Sequence, residues 1–199
     1  MRLIVKRPVS TELKVCFVRK PSPSTTNASS NDVILIAFGA NLPTEEYGAP
    51  GQTLKAALQR LAQDGDISID LVSSFYETAP VPVSDQPWYV NGVARVSTGL
   101  SAHDLLERLH EVEAEFGRVR RERNAARVID LDLIAYGREL LHEDGGIQVP
   151  HPRMAERAFV LLPLRDVAVG WVHPVLGRTV EDLISDLPAD QQIRKQAES

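Results

Sequence analysis

The sequence predicts an α+β sandwich in which helices cover a mainly antiparallel sheet. Segments of strand periodicity alternate with segments of helical periodicity, which places both element types in one domain. The stretch TAPVPVSDQP at 78–87 is too rigid and too poor in N–H donors to lie inside a sheet. Hairpin-like spacings around it do not suit a regular parallel sheet, and no internal repeat is present.

Each element has its own signal. VILIAF at 33–38 is a continuous apolar run closed by Gly39, which suits a buried strand. Over 52–62, Leu54, Ala57, Leu58 and Leu61 share one helical face, and Gly65 is placed to stop that helix. Residues 67–76 alternate as a strand. Residues 88–96 do so again, with Val90, Ala94 and Val96 on one side and Tyr89, Asn91 and Val93 on the other. Ser101 is a helix cap with Asp104 in capping-box spacing. Leu105, Leu109, Val112 and Phe116 follow at helical intervals as far as Gly117. An arginine-rich loop leads into a strand over 128–136. A helix carrying Arg153, Arg157 and Phe159 is expected from near Pro152, and a last short helix over 180–187.

The 199 residues are enough for one domain with a substantial core, and 43% apolar with 25% charged residues is ordinary for a soluble globular protein. A net charge of -5 opposes nucleic-acid binding by the whole chain. Cys16 stands alone, which excludes a disulfide framework and a cysteine zinc site. The apolar runs are too short to cross a bilayer, so a reducing, cytoplasmic setting is expected. The first thirty residues are basic, with Glu12 their lone acid, and PSPSTTNASSN at 21–31 has the composition of a flexible linker. The expected organisation is a flexible basic extension over 1–31, a domain over 32–190 and a tail over 191–199.

The chemistry concentrates in RVRRERNAARVIDLDLIAYG at 118–137. In a strand, Ile129, Leu131, Leu133 and Ala135 point to one side while Asp130 and Asp132 point to the other. Two carboxylates two residues apart stand roughly 6.5–7 Å from one another, and their repulsion calls for cations. Magnesium takes one or two protein carboxylates and leaves its remaining positions to phosphate oxygens and water, and two such ions can clamp a phosphoryl displacement. Arg118, Arg120, Arg121, Arg123 and Arg127 bring forked, permanently charged donors that match phosphate. An isolated D-x-D is more often a solvated sheet face; carboxylates beside arginines together make a site for a magnesium-chelated polyphosphate. No P-loop, dinucleotide fingerprint or protein-kinase signature occurs, so side chains must grip the nucleotide.

The chain resembles the 6-hydroxymethyl-7,8-dihydropterin pyrophosphokinases of folate biosynthesis. The likeness covers about 33–188 and rests on AFGANL at 37–42, SSFYETAPV at 73–81, DQPWYVN at 85–91, GRVR at 117–120, RVIDLDLIAYG at 127–137, VPHPRMAERAFVLLPL at 149–164 and WVHPVLG at 171–177. It implies a ferredoxin-like fold with mobile loops over the site, and transfer of pyrophosphate from ATP to the pterin hydroxymethyl group with release of AMP. It makes Asp130 and Asp132 the ligands of two magnesium ions and Arg118 and Arg127 phosphate-binding, catalytic arginines, with Arg120 in the same loop. His151 and Arg157 match nucleotide-phosphate contacts, His110 and Glu113 face the nucleoside, and Leu133 lies beside the base. Thr78, Val81, Tyr89, Asn91 and Phe159 match pterin-pocket positions. The chemistry agrees: Asn91 can pair with an amidic ring edge, and Tyr89 or Phe159 can stack on its face.

The proton of the substrate hydroxyl has two candidate acceptors, Asp132 and a metal-bound water. Relatives commonly read R-W-G-P-R where RNAAR stands at 123–127, and Trp88 is a candidate to supply the missing stacking. A catalytically silent pterin- or nucleotide-binding module of the same fold is the alternative function. An RNA binder using the arginine loop is opposed by the acidic charge and by the lack of paired aromatic sheet motifs. ATP and the pterin are the expected partners, nucleic acid and membranes are not, and a monomer is expected.

Overall fold

The computed structural model describes residues 32–80, 84–118 and 126–197. The expected extension 1–31, and with it Val81, Arg120, Arg121 and Arg123, lies outside the described residues.

From Asp32 the chain forms β1 (Ile34–Ala40), α1 (Pro50–Gln63), β2 (Ile67–Val72), β3 (Tyr76–Thr78), β4 (Tyr89–Thr98), α2 (Ala102–Glu115) and β5 (Asp130–Tyr136). A small hairpin, β6 (Leu141–His142) with β7 (Gln148–Val149), precedes a 3-10 turn (Met154–Glu156), α3 (Ala158–Val167), α4 (Val180–Ser185) and β8 (Ile193–Lys195). The main sheet runs β5-β1-β4-β3-β8, every pairing antiparallel, and β2 pairs with the second half of β4. The expected α+β sandwich with an antiparallel sheet is therefore the observed fold. No helix among the described residues is long and apolar enough to cross a membrane.

Two cores sandwich the sheet. On one face Leu54, Leu58 and Leu61 of α1 and Leu105, Leu109 and Val112 of α2 meet Ile36, Phe38, Val90, Ala94, Leu131 and Leu133. On the other, Leu161 and Leu164 of α3 and Val180 and Leu183 of α4 meet Leu35, Val93, Ile134 and the fully buried Trp171. Each such leucine contributes about 1.5–3 kcal/mol by leaving water. The helix ends follow local chemistry. Pro50 occupies the first turn of α1, Ser101 Oγ accepts from the Asp104 N–H at the start of α2, and Gly117 takes φ 81° where α2 ends.

Three expectations are corrected. The strand expected over 67–76 breaks after Val72. Ser73 Oγ donates to the Ser74 carbonyl at 2.8 Å and accepts from the Val93 N–H at 3.0 Å, while Asp166 receives the Ser74 N–H and the Tyr76 hydroxyl. Ala135 does not share a side with Leu131 and Leu133. The register of β5 against β1 slips at Ile134, and this bulge turns Ile134 and Ala135 both into the α3 core. The helix expected from Pro152 is two pieces, because Arg157 is extended (φ -115°, ψ 110°) between the 3-10 turn and α3. Within the segment expected as a tail, β8 forms the edge strand beside β3.

Candidate active site

Asp130 and Asp132 begin β5 on the face opposite Leu131 and Leu133, as alternation requires. Asp130 is held by two arginines, Oδ1 to Arg118 Nη1 at 2.6 Å and Oδ2 to Arg127 Nη1 at 2.6 Å. Among the described residues no ion pair to Asp132 forms. Burial first, and the Asp130 charge second, push its carboxyl up to about 6, against the pull of Arg157, Arg118 and Arg127. The site thus contains one neutralised and one poorly solvated carboxylate, side by side. No group of three or more His, Cys, Asp or Glu that could hold a metal exists among the described residues. Two hard oxygen donors fit an ion that keeps most of its sphere for phosphate and water, which is the habit of magnesium.

Glu113 supports the arginines from below. It is 2% exposed, pairs with Arg118, and accepts from the Leu131 N–H at 2.6 Å. One buried carboxylate therefore fixes both Arg118 and the stretch of β5 between the aspartates. His110 lies one turn earlier on α2, partly buried. Leu133 is buried in the α1/α2 core, on the side of β5 away from the aspartates.

The segment after β7 brings the second group of cations. The His151 N–H reaches the Ile134 carbonyl at 2.9 Å, which docks the segment against β5, and His151 Nδ1 accepts from the Arg153 N–H at 3.2 Å. Burial, with Arg157 and Arg153 nearby, pushes the His151 imidazole down to about 4, so it is neutral at physiological pH. The Arg157 guanidinium lies 5.3 Å from the centre of the Phe159 ring. Burial and Arg153 lower its pKa, while Asp132 and Asp130 oppose that fall.

Across the sheet, Asn91 and Thr78 are buried, and Asn91 Nδ2 donates to Thr78 Oγ1 at 2.7 Å. The Tyr89 hydroxyl donates to Gln86 Oε1 at 3.2 Å. The strand register explains how this group faces the aspartates. Gly39 pairs with Asn91 on one side and Asp130 on the other; Ala37 pairs with Val93 and Asp132. The middle strand presents its two smallest residues between the amide and the carboxylates, leaving an open trough about two strand spacings wide, roughly 9.5 Å. A Cβ at Gly39 would stand 2.5 Å from Asn91 Oδ1. Trp88, the candidate substitute for a missing stacking group, precedes β4 and is 40% exposed. It lines a cleft of about 690 Å³ with Pro43, Lys55, Phe75 and Val90, and Arg194 stands 5.0 Å from its ring.

Residues 35–169 match the family model of 7,8-dihydro-6-hydroxymethylpterin-pyrophosphokinase, HPPK. The chain belongs to this family. A Haemophilus influenzae 2-amino-4-hydroxy-6-hydroxymethyldihydropteridine pyrophosphokinase is 40% identical over 139 residues, covering 70% of this chain and 83% of that protein. The Dictyostelium discoideum folic acid synthesis protein FOL1 is 36% identical over 89% of this chain, which spans only 26% of that larger protein. The crystal structure of wild-type Plasmodium falciparum HPPK-DHPS shares the fold, with a TM-score of 0.55 and 12% identity over 77% of this chain and 44% of that one.

For an HPPK chain, two positions went unread in the sequence. Asn41 is 1% exposed; its Oδ1 accepts from the Arg127 N–H at 2.8 Å and its Nδ2 donates to the Pro87 carbonyl at 3.1 Å, while the Arg127 carbonyl accepts from the Asn41 and Leu42 N–H groups. It joins the arginine loop to the loop before Tyr89. Gly39 is the floor of the trough. Both lie in AFGANL, and a polar residue directly after a buried strand was the available signal for the first.

Proposed function

We propose that this chain transfers the pyrophosphoryl group of ATP to the hydroxymethyl oxygen of 6-hydroxymethyl-7,8-dihydropterin, giving the pterin diphosphate and AMP. The observation that carries this reading is the register row Asn91–Gly39–Asp130. It sets a heterocycle-reading amide across an open trough from a carboxylate pair ringed by arginines. The activities named for the Haemophilus influenzae and Bacillus subtilis relatives support the same reaction.

Each end of the trough has a task. The pterin lies at the Asn91 end, its amidic edge against the Asn91 side chain and the backbone after Thr78, with Tyr89 and Phe159 as the ring-stacking groups. The triphosphate lies at the Asp130 end, where Arg118, Arg127 and Arg157 meet its oxygens and neutral His151, its Nδ1 occupied by the Arg153 N–H, donates from Nε2. His110, partly buried one turn before Glu113, marks the nucleoside side; the buried Leu133 and Glu113 side chains support β5 and Arg118 from the core side instead of meeting the nucleoside. Asp130 and Asp132 hold magnesium, which when bound neutralises the polyphosphate and supplies electrophilic stabilisation. The hydroxymethyl oxygen forms a bond to the β-phosphorus as the bond from that phosphorus to the α–β bridging oxygen breaks; AMP leaves with the bridging oxygen, and the hydroxyl proton passes to Asp132 or to a water. Phosphoryl transfer asks the protein chiefly for alignment and charge, which rigid strands provide. The setting is cytoplasmic and the acting unit a monomer.

Purified protein with ATP, magnesium and the hydroxymethyl pterin tests this. AMP and the pterin diphosphate should appear in equal amounts. ADP in place of AMP, or no nucleotide turnover, refutes it.

A further inference from the structure

We infer that Gln191 is a positioning residue for this reaction, one that sets Arg157 and Phe159 against the Thr78 end of the trough. The inference rests on the roles proposed above for those three residues.

Arg157 is an extended residue caught between two helical segments, and it supplies no side-chain cap to α3. Such a hinge has torsional freedom unless the peptide groups on both sides are tied. The Arg157 N–H reaches the Met154 carbonyl and its carbonyl accepts from the Val160 and Leu161 N–H groups; the other half of each flanking peptide is tied by one side chain from far along the chain. Gln191 Oε1 accepts from the Ala158 N–H at 2.9 Å, and Gln191 Nε2 donates to the Glu156 carbonyl at 2.9 Å. The amide therefore bridges the residues that flank Arg157 and caps the first turn of α3, where N–H groups lack intrahelical partners. Fixing this backbone fixes the aim of a guanidinium whose charge burial disfavours.

The next residue makes the other half of the link. The Gln192 carbonyl accepts from the Ala79 N–H at 3.1 Å, and Ile193 then pairs with Thr78 at the edge of the sheet. Two consecutive residues, Gln191 and Gln192, thus join the arm bearing Arg157 and Phe159 to the arm bearing Thr78. The distance between phosphate-binding and ring-binding groups is set through this strap. A displacement of about 1 Å between reacting partners can cost up to a hundredfold in rate.

Steady-state kinetics with magnesium, ATP and 6-hydroxymethyl-7,8-dihydropterin test the inference on wild type, Gln191→Ala and Gln191→Glu, with a thermal melt of each. Gln191→Ala should melt cooperatively within a few degrees of wild type, with kcat/KM for ATP lowered about tenfold. Gln191→Glu keeps the acceptor for the Ala158 N–H but sets an oxygen against the Glu156 carbonyl, and should recover only part of that loss. Should Gln191→Ala fail to fold, the isosteric Gln191→Met takes its place. Kinetics of the apolar variant within twofold of wild type overturn the inference. So does an equal loss in both variants, or a loss that tracks a lowered melting temperature. Wild type that forms no AMP overturns the proposed reaction itself, a separate and distinguishable outcome.

Discussion

Glu113 on α2 accepts a 2.6 Å hydrogen bond from the Leu131 N–H, midway between the two aspartates of β5. The same carboxylate pairs with Arg118. Removing it strands a buried backbone donor and leaves the partly buried Arg118 guanidinium with Asp130 alone. Glu113→Ala should therefore lower stability by about 2–4 kcal/mol, measured by urea denaturation without any ligand. A change below about 0.5 kcal/mol, typical of an ordinary surface site, would show that Glu113 does not organise the site before substrates arrive.

Gly39 needs its missing side chain for space rather than for backbone torsion, since an added Cβ meets Asn91 Oδ1 at 2.5 Å. Gly39→Ala should push the Asn91 amide off Thr78 and raise KM for the pterin about tenfold, with KM for ATP changed far less. In an Asn91→Ala background the same change should add little, because interacting neighbours are non-additive. Additive effects across that cycle would place the role of Gly39 elsewhere.

Asp132 has a raised folded-state pKa, about 6 against 3.8. Its contribution to stability is fully present below about 3.8 and is lost as pH rises through about 6. Asp132→Asn, a neutral isostere, should therefore be more stable than wild type at pH 8 without divalent ions, by about 1–3 kcal/mol. The difference should close towards pH 4, and AMP formation should be abolished. A variant less stable than wild type at pH 8 contradicts the burial argument.

Much of this arrangement was legible beforehand. Strand alternation put Val90, Ala94 and Val96 against Tyr89, Asn91 and Val93, and the two core faces divide them that way wherever they pack. The aspartates opposite Leu131 and Leu133 followed from the same two-residue period. What escaped was set by contacts distant in sequence. The Ile134 bulge shifts Ala135 by one residue without any local signal. The break at Ser73 depends on Val93 and Asp166, and the amide bonded to both neighbours of the extended Arg157 comes from Gln191. A two-residue strand such as β6 is shorter than any period.

His173 is 6% exposed, and its Nδ1 accepts from the Val175 and Leu176 N–H groups at 3.2 and 3.3 Å. Burial lowers its pKa below the ordinary 6.5, so the neutral ring is the folded form. The stability it contributes is present above about pH 6.5 and is lost as pH falls through the lowered folded-state value. His151, lowered to about 4, acts in the same direction, and Asp132 acts against both. Asn at 173 offers a similarly placed acceptor that does not titrate. Urea midpoints for wild type should therefore drop relative to His173→Asn between pH 7 and pH 5. Parallel curves would contradict the assignment.

Calorimetric titration of ATP into the protein, with and without magnesium, tests the central claim most directly. Wild type should bind ATP at least tenfold more tightly with the ion, and a variant carrying Asp130→Asn and Asp132→Asn should lose that dependence while its melt stays cooperative. Magnesium-independent binding by wild type, or an undiminished magnesium effect in the double variant, would contradict the assignment of the aspartate pair.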